Sequence, residues 1–358
     1  MKLQVFLKIA LAGFIGLSVA HPGEQHEEID ERALIQKRAF QEHVTRSLEK
    51  CARQLEASGV YKRTEARRRD TIESLRRSKP AGARLTARDP ETVLNTSHLV
   101  TNSSINASTA DDVLFTNNGT CVLNPEGETG PFYVLGEYVR TDLRESEVGV
   151  NITLEAQFID VDTCEPLTNM WWDVWNCNAT GVYSGVVENG NGNAKDTANF
   201  NRTFLRGIQQ ADSDGVVRFD TLFPGHYSGR ATHHHIVAHI GDDITVLANG
   251  TITGGSVAHI GQLFYDQDLI TEVESTYPYS TNTITITENA DDRVFLAETE
   301  NTTSDPVINY VLLGDSVEDG LFGWVTIAID TSASYDPKYS FVLTSSGGVE
   351  ESGGTDMK

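Results

Sequence analysis

Six of the ten histidines lie between His226 and His259, and three are consecutive, His233, His234 and His235. In an extended strand the side chains of residues i and i+2 leave the same face, so His233 and His235 point together while His234 points away. Two imidazoles on one face supply half of a metal site. Two phenols lie upstream. Tyr183 closes the run from Trp172 through Gly181 and Val182, and Tyr227 closes Phe223-Pro224-Gly225-His226-Tyr227. Each sits just past an apolar run, on a glycine-containing turn that can carry a side chain to a shared pocket. Histidines are also ordinary polar residues of strands, and a tyrosine taken singly is ordinarily a packing residue, so this pattern alone leaves the metal open.

The elements that must position these residues read as strands. Alternating or solidly apolar runs separated by turn residues occur at 152–160, 170–177, 216–223, 235–240, 244–253, 259–266, 322–330 and 339–344. At least eight strands and no convincing helix after residue 118 predict a mainly β fold, an antiparallel β-sandwich spanning 119–345. Ahead of it, residues 21–80 form a charged helical segment, with Phe40, Val44, Leu48, Cys51 and Leu55 at spacings of three and four. Two readings stand for it: a helix docked on the main domain or another subunit, or a solvated pro-region. Residues 81–118, rich in Ser, Thr and Asn, read as a glycosylated linker. The Gly, Ser and acidic residues of 346–358 predict a disordered tail.

Several short motifs in this order resemble the intradiol ring-cleavage dioxygenase family, which includes catechol 1,2- and protocatechuate 3,4-dioxygenases, and its secreted branch in particular. They are Gly130-Pro131-Phe132-Tyr133, the strand 154–160 with its Asp162 to Pro166 turn, the Trp-containing strand that leads to Gly181-Val182-Tyr183, Pro224-Gly225-His226-Tyr227, and Arg230 through His235. The resemblance covers roughly residues 120–270. It implies one non-haem Fe(III) per chain held by Tyr183, Tyr227, His233 and His235, with Arg230 and Gln262 beside the substrate. Two anionic phenolates favour Fe(III) over Fe(II), so this donor set is chemically coherent. The implied reaction is O2-dependent opening of a catechol between its two hydroxylated carbons to a muconate-type diacid, with Tyr227 taking up a substrate proton and Arg230 stabilising ring charge. Asn176 departs from the histidine that many members carry after the tryptophan. Family members are often dimeric, which makes a homodimer the implied assembly. Two other readings compete: a cupin-like metalloprotein, with Asp242 or Asp243 as a carboxylate ligand, and a catalytically silent β-sandwich binding module.

Bulk properties bound the partners. The formal net charge is -23, and it is uneven: residues 91–358 hold 10 Lys and Arg against 39 Asp and Glu, whereas 21–90 hold 16 against 12. Such an acidic body repels nucleic acid and anionic membrane, so neither is an expected partner; the resemblance implies a small catechol and O2 as partners. The apolar stretch from Val5 to Val19 and the small residues before His21 read as a signal peptide over 1–20, placing the protein outside the cell. Nine Asn-X-Ser/Thr acceptors agree with export: Asn95, Asn102, Asn106, Asn118, Asn151, Asn178, Asn201, Asn249 and Asn301. A glycan on Asn178, five residues before Tyr183, would obstruct the site. Four cysteines (Cys51, Cys121, Cys164, Cys177) allow two disulfides. Pairing of Cys164 with Cys177 is discounted, because an extended strand between them holds them roughly 30 Å apart.

Overall fold

The computed structural model describes residues 50–77, 97–99, 129–299, 305–344 and 347–353, with isolated helical positions at 39, 43 and 47. The signal-peptide region, most of the 81–118 linker, Cys121, and the acceptors Asn95, Asn102, Asn106, Asn118 and Asn301 lie outside the described residues.

Two four-stranded sheets face each other across one apolar core. The first has the order β10 (Asn309–Leu312), β11 (Leu321–Ile329), β2 (Asn151–Asp160), β5 (Val216–Leu222). The second runs β4 (Arg206–Gln210), β3 (Met170–Trp175), β6 (His233–Ile240), β9 (Ser256–Phe264). Pairing is antiparallel except between β11 and β2, which run parallel from Leu321↔Ile152 to Ile329↔Asp160. Ile152, Leu154, Ala156 and Phe158 of β2 point into the core with Trp172, Val174, Ile236 and Ala238 of the opposite sheet. This is the predicted sandwich.

The other face of β2 carries Thr153, Glu155 and Gln157, all buried. They are covered by α1 (Val60–Arg77). Thr64 Oγ1 donates to Gln157 Oε1 at 3.0 Å, and Arg68 Nε donates to Glu155 Oε1 at 3.0 Å. Burial lowers the Arg68 pKa, with Glu155 acting against that fall. Just before α1, Cys51 is disulfide-bonded to Cys164, 113 residues away in sequence, in the turn after β2. Cys177 is a free, buried thiol. Of the two readings of the N-terminal segment, docking on the main domain describes residues 50–77.

Three expectations need correction. Two α-helices follow residue 118: α2 (Gln267–Glu274) and α3 (Arg293–Thr299). Both are too short for their apolar period to be told from that of a strand. The run 244–253 is a tight hairpin, β7 (Thr245–Val246) and β8 (Ile252–Thr253), because the backbone turns at Asn249-Gly250, where Gly250 has φ +85°. The C-terminal segment is not all tail. Residues Gly347–Gly353 form β13, paired with β12 (Tyr339–Thr344), which lies parallel to β1 (Val134–Leu135). Gly348 explains why so polar a segment packs: a Cβ there would stand 2.5 Å from the Phe200 carbonyl oxygen.

Candidate functional site

Both tyrosine-bearing turns are shaped by the main chain. Asn178 Oδ1 accepts from the N–H groups of Thr180 and Val182 and so closes the turn ahead of Tyr183, while its Nδ2 donates to Glu147 Oε2 at 2.7 Å. A glycan on that nitrogen would replace one of its two hydrogens and crowd the contact with Glu147, while the turn rests on Oδ1. Gly181, at φ +79°, approaches the His226 carbonyl so closely that a Cβ would lie 2.3 Å from it, and a Cβ on Gly225 would meet Asn178 O at 2.4 Å. The two turns thus pack backbone to backbone, which sets the separation of the tyrosines they carry. Tyr183 is further held by Asn191, which accepts from its N–H, and by Asn199, which donates to its carbonyl. His226 anchors the second turn through Glu274 Oε1 at 2.7 Å and the Ile284 carbonyl at 2.8 Å.

The sheet supplies the imidazoles. His233 and His235 leave β6 on the face away from the inter-sheet core, and their Nε2 atoms lie 3.0 Å apart. His233 Nδ1 lies 2.6 Å from the Ala231 carbonyl, which assigns its proton to Nδ1 and leaves a lone pair on Nε2. Trp175 stacks on the His235 ring at 4.8 Å with an interplanar angle of 2°. The phenols close the other side. Ring centroids are 5.3 Å apart for Tyr183 and Tyr227, 5.7 Å for Tyr227 and His233, and 6.0 Å for Tyr183 and His235. None of the four is more than 2% exposed.

The Tyr183 hydroxyl is buried and makes no well-formed hydrogen bond, which costs about 1–3 kcal/mol for a polar group. Burial holds both phenols above the ordinary tyrosine range; the neighbouring phenol raises Tyr183 further, and Arg230 opposes the rise at each. A bound cation removes that penalty, since it displaces the protons and takes the oxygens as ligands. Two phenols and the Nε2 atoms of His233 and His235, gathered in a buried pocket, fit an Fe(III) ion. The carboxylates a cupin-like site needs are elsewhere: Asp242 accepts from Asn169 and Asp243 from the Gly255 N–H, beyond the far end of β6.

Residues 129–268 match a family model described as Dioxygenase. Similar solved structures include an intradiol ring-cleavage dioxygenase from Tetranychus urticae, 29% identical over 60% of this chain and 97% of that one, with a TM-score of 0.48. The dioxygenase domain of a dioxygenase carbohydrate-binding protein fusion from Streptomyces sp. SirexAA-E is 22% identical over 56% and 94%, with a TM-score of 0.35. A catechol 1,2-dioxygenase from Pseudomonas arvilla C-1 is 14% identical over 59% and 62%, also at 0.35. No curated protein matches. Residues 129–268 are thus similar to the dioxygenases, and the solved structures that resemble the chain include intradiol ring-cleavage enzymes.

In this chain the predicted Arg230 and Gln262 come together with the four donors. Gln262 lies directly across from His235 in the β6–β9 ladder, and its Oε1 accepts from Arg230 Nη2. Arg230 Nη1 is 3.5 Å from the Tyr227 hydroxyl. Sequence reasoning missed Asp292, the N-cap of α3. Its Oδ2 accepts from Arg230 Nε at 2.9 Å and from the Ala231 N–H at 2.7 Å, and its Oδ1 from the N–H groups of Val294 and Phe295. Burial works against its charge, but the Arg230 guanidinium outweighs this and keeps its pKa low. His234 faces the core, as expected. Its Nδ1 meets Asn176 Oδ1 at 3.1 Å and its Nε2 meets the Tyr265 hydroxyl at 2.7 Å, and burial depresses its pKa to about 3.

Proposed function

We propose that this protein is a secreted non-haem Fe(III) dioxygenase that opens catechol-type rings with O2 between the two hydroxylated carbons, yielding muconate-type diacids. The observation that carries this reading is the convergence of Tyr183, Tyr227, His233 and His235, none more than 2% exposed, on one pocket. A ferric ion there supplies Lewis acidity toward the catechol oxygens and an acceptor for ring electron density.

The chain's own residues do the rest. Tyr227, adjacent to Arg230, is placed to accept a proton from an incoming catechol at its phenolic oxygen. Arg230, fixed by Asp292, presents a cation to charge that develops on the ring, and Gln262 holds the guanidinium from the opposite side. The aromatic shell of Phe132, Trp175 and Phe264 excludes water and so strengthens these electrostatic contacts. Export rests on the apolar N-terminal stretch and the dense acceptors for glycans, and a homodimer is the assembly proposed.

Purified iron-replete protein should be burgundy, from phenolate-to-Fe(III) charge transfer, and should consume O2 with catechol. Tyr183→Phe should weaken iron binding and bleach the colour. Iron-replete protein with no visible band would sink the assignment.

A further inference from the structure

A second buried arginine lies behind the site, on the side away from Arg230. Arg206, the first residue of β4, sits across from Trp175 in the β3–β4 ladder and is 1% exposed. Its Cζ lies 5.8 Å from the centroid of the Tyr183 ring. Nε donates to the Ser184 carbonyl at 3.0 Å and to Ser184 Oγ at 3.2 Å, and Nη2 donates to the Phe132 carbonyl at 2.6 Å. These partners bracket Tyr183, because Ser184 follows it in sequence and Phe132 stacks on its ring at 4.8 Å. All three are neutral. The facing acid is Glu137, whose Oε1 is 3.6 Å from Nη1 without hydrogen-bond geometry, both atoms lacking a partner. Burial raises the Glu137 pKa to about 8 even though Arg206 opposes the shift, with Asp173, Arg140 and Glu145 also acting on it. At neutral pH the facing Glu137 is therefore largely protonated, Asp173 also acts on the guanidinium, and the aromatic ring that the cation lies against is that of Tyr183.

We propose that Arg206 is a positioning residue that sets the electron-donor strength of Tyr183 toward a bound metal. The inference rests on the ferric reading above. A cation held against an aromatic ring stabilises its electrons; it makes the phenolate a weaker donor and leaves more Lewis acidity for the substrate.

The test is the visible band of Fe(III)-loaded protein. Arg206→Met should move the band to longer wavelength, and Arg206→Lys, which keeps the charge, should restore most of the parent position. In a Tyr183→Phe background Arg206→Met should not move the weak residual band that Tyr227 supplies at saturating iron, whereas in a Tyr227→Phe background the full shift should persist. An unmoved band, or an equal shift without Tyr183, overturns the proposal. Should Arg206→Met fail to fold, Glu137→Gln carries the test above the Glu137 pKa of about 8. Removing that carboxylate should move the band to shorter wavelength, and an unmoved band or a shift the other way overturns the proposal. Absence of any band in the iron-loaded parent is a separate outcome that defeats the ferric reading and this inference with it.

Discussion

His234 leaves β6 opposite its two neighbours, and Asn176 and Tyr265 take both of its ring nitrogens. Asn176 Nδ2 donates to the Cys177 carbonyl, so its Oδ1 accepts from His234 Nδ1–H and His234 Nε2 accepts from the Tyr265 hydroxyl. His234→Ile should therefore keep the metal and its colour while losing roughly 1–3 kcal/mol of stability from the stranded partners; loss of iron in this variant would show that the strand register is wrong. Asp292→Asn tests the other side of the pocket. With its partner neutral, Arg230 is a buried cation held by a weaker fork, and turnover should fall about 100-fold through misplacement. The charge-transfer band should stay where it is. An oxygen-uptake assay with unchanged turnover would remove Asp292 from the site. The shared face of His233 and His235 was legible because an HxH strand advertises it locally, whereas Tyr183, Tyr227 and Arg230 were singled out through the motifs of the family resemblance. Asp292 and Arg206 were not, since only the fold brings an α3 N-cap and a β4 residue to that pocket.

Elements docked through polar faces were the harder part to foresee. In α1 the buried positions include Thr64, Arg68 and Thr71, which a search for apolar spacing passes over, and their partners on β2 are as polar. The sandwich strands were legible because one face of each is apolar. A similar polar anchor holds residues 97–99: His98 Nδ1 meets Asp266 Oδ1 at 2.6 Å and Nε2 meets Asp305 Oδ2 at 3.0 Å. Burial opposes a charge on His98, but the hydrogen bonds to the two aspartates outweigh it and raise the pKa to about 9. The folded-state pKa exceeds the unfolded value near 6.5, so this contribution is fully present below about pH 6.5 and lost as pH rises through about 9. Its size is up to about 3 kcal/mol. Urea midpoints across that range should fall in the parent more steeply than in His98→Gln, and parallel curves would rule the anchor out.

Across the whole molecule, the uneven charge in the sequence has a structural counterpart. The basic segment lies against the acidic body: Arg63 pairs with Asp214 at 2.8 Å, Arg68 with Glu155 at 3.0 Å, and His43 with Asp162 at 2.9 Å. No helix among the described residues is long and apolar enough to cross a membrane. Alongside these ion pairs, the Cys51–Cys164 bond joins the segment to the turn after β2. A protease that nicks the backbone between residues 77 and 129 therefore leaves two pieces that stay joined. They should migrate as one band on a non-reducing gel and as two once a thiol is added, so a single band under oxidising conditions does not show that the chain is uncut between those residues.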